Sequence, residues 1–120
     1  VPARILIVED SPLVTDAFRV LFTAVGYEVD SAATVAEAIE QATSAPVDMM
    51  LLDLSLPDGN GLEILKVLRK RGSLPRSTLA MTGHNDLASR RSCLEAGCAD
   101  VLLKPVPIAE LLRQIEHHLA

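Results

Sequence analysis

At 120 residues the chain is the size of one domain with one core, large enough to need no disulfide or metal staple. Hydrophobic residues make up 49% and aromatics only 2%, so Leu, Val, Ile and Ala must fill that core, as in a parallel sheet covered by helices. A net charge of −5, from 11 basic and 16 acidic residues, argues against a broad nucleic-acid surface, and no run of about 18 apolar residues or charged leader points to a membrane or to export. The reading is a soluble, cytoplasmic domain over residues 1–120. Its start at Val1 without a methionine reads as a trimmed chain or an excised domain.

In chain order, Arg4 to Glu9 predicts a buried strand through Ile5, Leu6, Ile7 and Val8. Ser11 and Pro12 supply an N-cap and a first-turn proline, and Val14, Ala17, Phe18, Leu21 and Val25 mark a helix ended by Gly26. Tyr27 to Ser31 alternates as a short strand. Thr34 with Glu37 is a capping-box signature for a second helix that stops before Pro46. Asp48 to Leu54 predicts a third strand, buried on both faces. The turn Leu56-Pro57-Asp58-Gly59-Asn60-Gly61 leads into a helix through Leu62, Leu65 and Leu68, closed by Gly72. Thr78 to Met81 predicts a fourth strand. Asp86 is a cap for a fourth helix ended by Gly97, Val101 to Leu103 a fifth strand, and Pro107 opens a last helix along Ile108, Leu111, Leu112, Ile115 and Leu119. Strict alternation of five β-α units implies an α/β fold, a doubly wound parallel sheet with right-handed crossovers.

In such sheets ligands bind beyond the carboxyl ends of the strands. Strand one ends in Glu9-Asp10, strand three in Asp53, strand four in Thr82 and strand five in Lys104-Pro105. Strand two ends in Ser31-Ala32-Ala33, which offers nothing comparable. Three carboxylates at one edge repel unless a cation sits among them, and an all-oxygen set favours Mg²⁺. Lys104 adds a compact positive charge that can pair with Asp53 and then with phosphoryl oxygens, and the Thr82 hydroxyl can donate to another of them. Together these residues read as an acceptor site for a phosphoryl group. Other features take bland readings. Lys66, Arg69, Lys70 and Arg71 form the basic last turn of a helix, His117 and His118 suit a helix C-terminus, and Cys93 and Cys98 are buried or half-buried thiols.

The chain resembles the receiver domain of two-component response regulators over essentially its whole length. The resemblance rests on Glu9 and Asp10, Asp53, Thr82, Lys104 with Pro105, and the loop Asp53-Leu54-Ser55-Leu56-Pro57 followed by Asn60-Gly61. It implies a flavodoxin-like (βα)5 fold with sheet order 2-1-3-4-5. It further implies a phosphohistidine donor on a sensor histidine kinase or phosphotransfer protein, the Ser55 backbone carbonyl as a further Mg²⁺ ligand, and a cis Lys104-Pro105 peptide. An output domain or a second copy would meet the face of helix 4, strand 5 and helix 5. Phosphorylation would be Mg²⁺-dependent, and the domain would catalyse only its own phosphorylation and dephosphorylation.

One departure is Val101, three residues before Lys104, where many receivers carry Tyr or Phe. The switch is therefore expected to run through Thr82 and residues 83 to 87 without an inward aromatic rotamer. Gly83 leaves the acceptor accessible, and Ser55 and His84 are expected to flank the approach of hydrolytic water. Haloacid-dehalogenase-type phosphatases use a similar residue set but place the nucleophile after strand one, with a second Asp two residues on. Here Pro12 stands two residues after Asp10. No G-x-G-x-x-G follows strand one, which speaks against dinucleotide binding. A receiver that only binds partners is the remaining alternative, and the intact acceptor set speaks against it.

Overall fold

The computed structural model describes residues 2–83 and 87–120. The first half runs β1 (Arg4–Val8), α1 (Pro12–Val25), β2 (Glu28–Ala32), α2 (Val35–Ser44), β3 (Met49–Asp53), then two short strands β4 (Ser55–Leu56) and β5 (Gly59–Asn60). The second half runs α3 (Leu62–Arg71), β6 (Ser77–Thr82), α4 (Leu87–Ala96), β7 (Asp100–Leu103) and α5 (Ile108–Leu119). Five strands form one parallel sheet in the order β2-β1-β3-β6-β7, which is the 2-1-3-4-5 arrangement expected from the sequence.

The continuous apolar runs make sense because each strand is covered on both faces. Successive side chains alternate across a strand, so Ile5 and Ile7, Met49 and Leu51, and Leu79 and Met81 pack with Phe22 of α1 and Leu111 and Ile115 of α5. The intervening Leu6 and Val8, Met50 and Leu52, and Ala80 pack instead with α2, α3 and Cys93 of α4. Two apolar layers thus hold the central strands rigid. Each fully buried Leu or Ile among them is worth about 2–5 kcal/mol against truncation to Ala.

The amino edge of the sheet is closed by Arg4. Its Nε donates to Asp30 Oδ2 at 2.7 Å, and its Nη1 donates to the Ala45 and Pro46 carbonyls at 2.8 and 3.1 Å. Its backbone N–H donates to Asp48 Oδ2 at 2.8 Å. One side chain therefore ties β1, β2 and the C-terminal end of α2 together.

The capping box at α2 forms in a shifted version, with Glu37 reaching past the N-cap Thr34 to the residue before it. Thr34 Oγ1 accepts from the Glu37 N–H, and Glu37 Oε2 accepts from the Ala33 N–H, each at 3.1 Å. At α1, Ser11 occupies the N-cap position and Pro12 the first turn, but the Ser11 side chain makes no cap bond. Its backbone N–H donates instead to Glu9 Oε1 at 3.2 Å. The expected Asp86 cap lies outside the described residues.

The largest local difference from the sequence reading is the turn after β3. It is an antiparallel hairpin, β4 against β5, with Ser55 opposite Asn60 and Leu56 opposite Gly59. Pro57 and Asp58 form its tip, and Leu56 is buried in the core. Gly61 follows because nothing larger fits: a Cβ there would lie 2.8 Å from the Asp53 carbonyl oxygen and 3.0 Å from Leu52 Cδ1.

Candidate functional site

Strand register builds the site. Val8 pairs with Leu52, so Glu9, one step further, emerges beside Asp53 at the carboxyl edge. Asp53 itself pairs with Met81, and Thr82 with Leu103. The Lys104 N–H donates to the Thr82 carbonyl at 2.8 Å, and the Lys104–Pro105 peptide that follows is cis. From there the Lys104 ammonium reaches back over the sheet. Its Nζ donates to Asp53 Oδ2 at 2.9 Å and to Glu9 Oε2 at 3.4 Å. The other Asp53 oxygen, Oδ1, accepts from the Ser55 N–H at 3.0 Å, so both carboxylate oxygens are held in place.

Glu9 and Asp53 are each only 5% exposed, whereas Asp10 is open to solvent. One oxygen from each of the three carboxylates lies within 4.8 Å of the others. At that separation two like charges repel by roughly 3 kcal/mol at an effective dielectric of about 20. Burial pushes the Glu9 carboxyl above its ordinary value, the Ser11 amide opposes this, and the charge of Asp53 pushes it up again. For Lys104, partial burial acts to lower the pKa, but the hydrogen bond and charge of Asp53, followed by those of Glu9, outweigh it and the net shift is upward. Among the described residues, three carboxylates gather here and one ammonium pairs with two of them. The donor set is all oxygen, partly buried and under-neutralised, which suits a hard divalent cation.

Besides a smaller cavity at Glu9 and Asp10, two others flank this cluster. One of about 480 Å³ is lined by Glu9, Lys104 and Pro105 together with the apolar Val14, Phe18 and Val106. The other, about 360 Å³, lies between the chain after β3 and α4, with Leu54, Ser55 and the buried Thr82 facing Ser89 and Cys93.

The sequence matches the family model of the response regulator receiver domain over residues 5–116. The chain is a receiver domain of that family. It is 36% identical over 116 residues to the TorCAD operon transcriptional regulatory protein TorR of Escherichia coli O157:H7, covering 97% of this chain and 50% of that protein. To the transcriptional regulatory protein KdpE of Mycobacterium tuberculosis it is 33% identical over 111 residues, covering 92% and 48%. The chain thus spans about half the length of the curated relatives it matches. Among solved structures, a CheY-like receiver domain protein of Methanospirillum hungatei superposes with a TM-score of 0.90 at 32% identity, covering 99% of this chain and 94% of that one. The BeF3-activated N-terminal receiver domain of Klebsiella pneumoniae RstA gives 0.86 at 28% identity, covering 97% of each chain. The family is one of phosphoacceptor signalling domains rather than classical enzymes.

Every strand-end residue singled out from the sequence of this receiver lies at the carboxyl edge, apart from His84, which falls outside the described residues. Gly83 is exposed, with open space where a Cβ would stand. Val101 is half-buried in β7, packed on the core layer under α4, and its carbonyl accepts from Arg90 Nη1 at 3.3 Å. Cys93 and Cys98 are both buried free thiols; burial, then the neighbouring Cys93, pushes Cys98 up to about 12, so neither is a ready nucleophile.

The sequence reading missed the work of two turn residues. Asp58 accepts from the Val35 and Ala36 N–H groups of α2 at 2.7 and 3.2 Å, and Asn60 Oδ1 accepts from the Leu62 N–H of α3 at 2.9 Å. The Pro57-Asp58-Gly59 string signalled a turn, but nothing local signalled which helix its carboxylate would cap.

Proposed function

We propose that this receiver takes a phosphoryl group onto Asp53 from a phosphohistidine of a sensor kinase or phosphotransfer protein, and that the modified carboxyl edge changes what the domain binds. The observation that carries this reading is the 2.9 Å contact between Lys104 Nζ and Asp53 Oδ2 beside the Glu9, Asp10 and Asp53 cluster. An Asp53 oxygen attacks phosphorus as the phosphorus–nitrogen bond breaks, and the imidazole keeps the electron pair and is protonated by solvent. Asp53 is ready for this because the Ser55 amide and Lys104 fix the orientation of its carboxylate. Lys104 would then follow the charge onto the phosphoryl oxygens, and the Thr82 hydroxyl would donate to one of them.

Glu9, Asp10, Asp53 and the Ser55 carbonyl would hold Mg²⁺, which when bound supplies charge neutralisation for the transferring group. The apolar cavity beside Glu9 and Lys104, with Leu13 and Val20 exposed on the same helix α1, suits the approach of a donor protein from that side. The face of α4, β7 and α5 exposes Leu87, Leu94, Leu103 and Ile108 and is the surface for an output domain or second copy. Transcriptional control, as in the relatives' names, would belong to a segment outside this chain.

Incubation with acetyl phosphate and Mg²⁺ tests the proposal. Intact-mass analysis is expected to show one added phosphoryl group, lost when the metal is chelated and absent from Asp53→Ala. Undiminished labelling of Asp53→Ala would overturn it, as would steady turnover of a chromogenic phosphate ester, which belongs to a phosphatase.

A further inference from the structure

The hairpin of β4 and β5 begins with Ser55, the residue whose amide holds Asp53, and it is pinned at two points beyond the site. At one, Asn60 Oδ1 accepts from the first N–H of α3. At the other, the Asp58 carboxylate accepts from the first two N–H groups of α2, 23 and 22 residues away in sequence. The Thr34 hydroxyl and carbonyl already serve the next two, Glu37 and Ala38. Asp58 thereby completes the amino end of α2, where a carboxylate also suits the helix dipole.

The consequence for the hairpin matters more than that for the helix. Asp58 stands at the hairpin tip, where the Ser55–Asn60 and Leu56–Gly59 pairs transmit its position along a unit of only six residues. Leu56 buries the underside, and Gly59 lies against α2, where a Cβ would come within 3.7 Å of Val35 Cγ2. The Gly61 N–H donates to the Leu54 carbonyl at 3.2 Å, and Gly61 packs directly on the Asp53 carbonyl. A shift of the tip away from α2 therefore moves Ser55 relative to Asp53.

We infer that Asp58 is a positioning residue for the metal site: by clamping the hairpin to α2 it fixes the Ser55 backbone beside Asp53 and so sets the affinity of the carboxyl edge for Mg²⁺. This rests on the phosphoacceptor reading, because it takes the Ser55 carbonyl as a ligand. Groups that orient ligands from behind typically carry about ten-fold or more in metal affinity.

The test uses the unphosphorylated chain and needs no activity assay. Mg²⁺ is titrated into the wild type, Asp58→Ala, Asp58→Asn and Thr34→Ala, following backbone amide shifts, and amide exchange at Val35, Ser55 and Gly61 is measured without metal. Asp58→Ala is expected to bind Mg²⁺ about ten-fold more weakly and to lose protection at Ser55 and Gly61. Asp58→Asn, which keeps one acceptor for the Val35 N–H, should fall between. Thr34→Ala weakens the same helix end without touching the hairpin and should keep wild-type Mg²⁺ affinity. Equal affinity in the wild type and Asp58→Ala would overturn the inference, and so would an equal loss in Thr34→Ala, which would reduce Asp58 to a helix cap. A wild type that binds no Mg²⁺ beside Asp53 would instead remove the phosphoacceptor reading itself, and this inference with it.

Discussion

The two edges of the sheet treat charge in opposite ways. At the amino edge one arginine, its side chain 13% exposed, finds Asp30 and the Ala45 and Pro46 carbonyls just after α2, while Asp48 binds its backbone N–H. At the carboxyl edge a lysine whose side chain is 37% exposed pairs with Glu9 and Asp53, and Asp10 lies beside them. The first arrangement is complete as it stands. The second gathers more negative charge than its lysine offsets, and a frame of strands buried on both faces holds it in place. The difference separates a structural network from the proposed phosphoacceptor site, although both are built from carboxylates and a basic side chain.

Mg²⁺ gives the widest separation. At about 100 times its dissociation constant, Mg²⁺ should stabilise the wild type against urea by about 2.7 kcal/mol and the Glu9→Gln, Asp10→Asn double variant by almost nothing. Arg4→Met should lose about 2 kcal/mol through its charged hydrogen bonds yet gain as much from Mg²⁺ as the wild type does. A loss of the Mg²⁺ gain in Arg4→Met would mean that the two edges are not independent.

Without metal, the carboxyl edge should behave as a cost. The folded pKa of Glu9 is raised above its unfolded value, chiefly by burial, so its contribution is fully present below the unfolded pKa and is lost as pH rises through the folded one. Glu9→Gln is therefore expected to match the wild type near pH 4 and to become the more stable protein, by about 1 kcal/mol, toward pH 7. Urea unfolding across that range in chelator checks this. A variant less stable than the wild type at pH 7 would show that Glu9 is structural.

Asp58 should show the smallest effect and the opposite sign. Its carboxyl is held below its ordinary value of 3.8, first by the Val35 N–H. Its contribution is therefore present above the unfolded pKa and disappears as pH falls through the folded one. The stability gap between wild type and Asp58→Asn should be constant above about pH 5 and narrow as pH falls below about 4. A gap that does not narrow with acid at all would place the effect outside this carboxylate.

Much of this contrast can be read from the sequence, because the strands are continuous apolar runs whose ends are marked by a change to charged or hydroxylated residues. Once the sheet order is known, Glu9, Asp53, Thr82 and Lys104 follow from where each run stops. Arg4 and Asp58 are different. Both act on partners more than 20 residues away, and apart from Asp30 those their side chains meet are backbone carbonyls or N–H groups that leave no residue-type signature. A proline-aspartate-glycine string announces a turn through local backbone preference, but the direction of its carboxylate depends on the packing of α2 against α3. The hairpin register is hidden for the same reason, since two-residue strands are too short to show a period.

The central claim is that the under-neutralised edge exists to place a phosphoryl group on Asp53. Borohydride reduction of the acetyl-phosphate-treated domain converts a phosphorylated aspartate to homoserine, and peptide mass mapping locates it. Homoserine is expected at position 53 alone, dependent on Mg²⁺ and abolished in Lys104→Ala or strongly reduced there. Homoserine at position 10 or 58 with position 53 intact, or labelling indifferent to Mg²⁺, would contradict it.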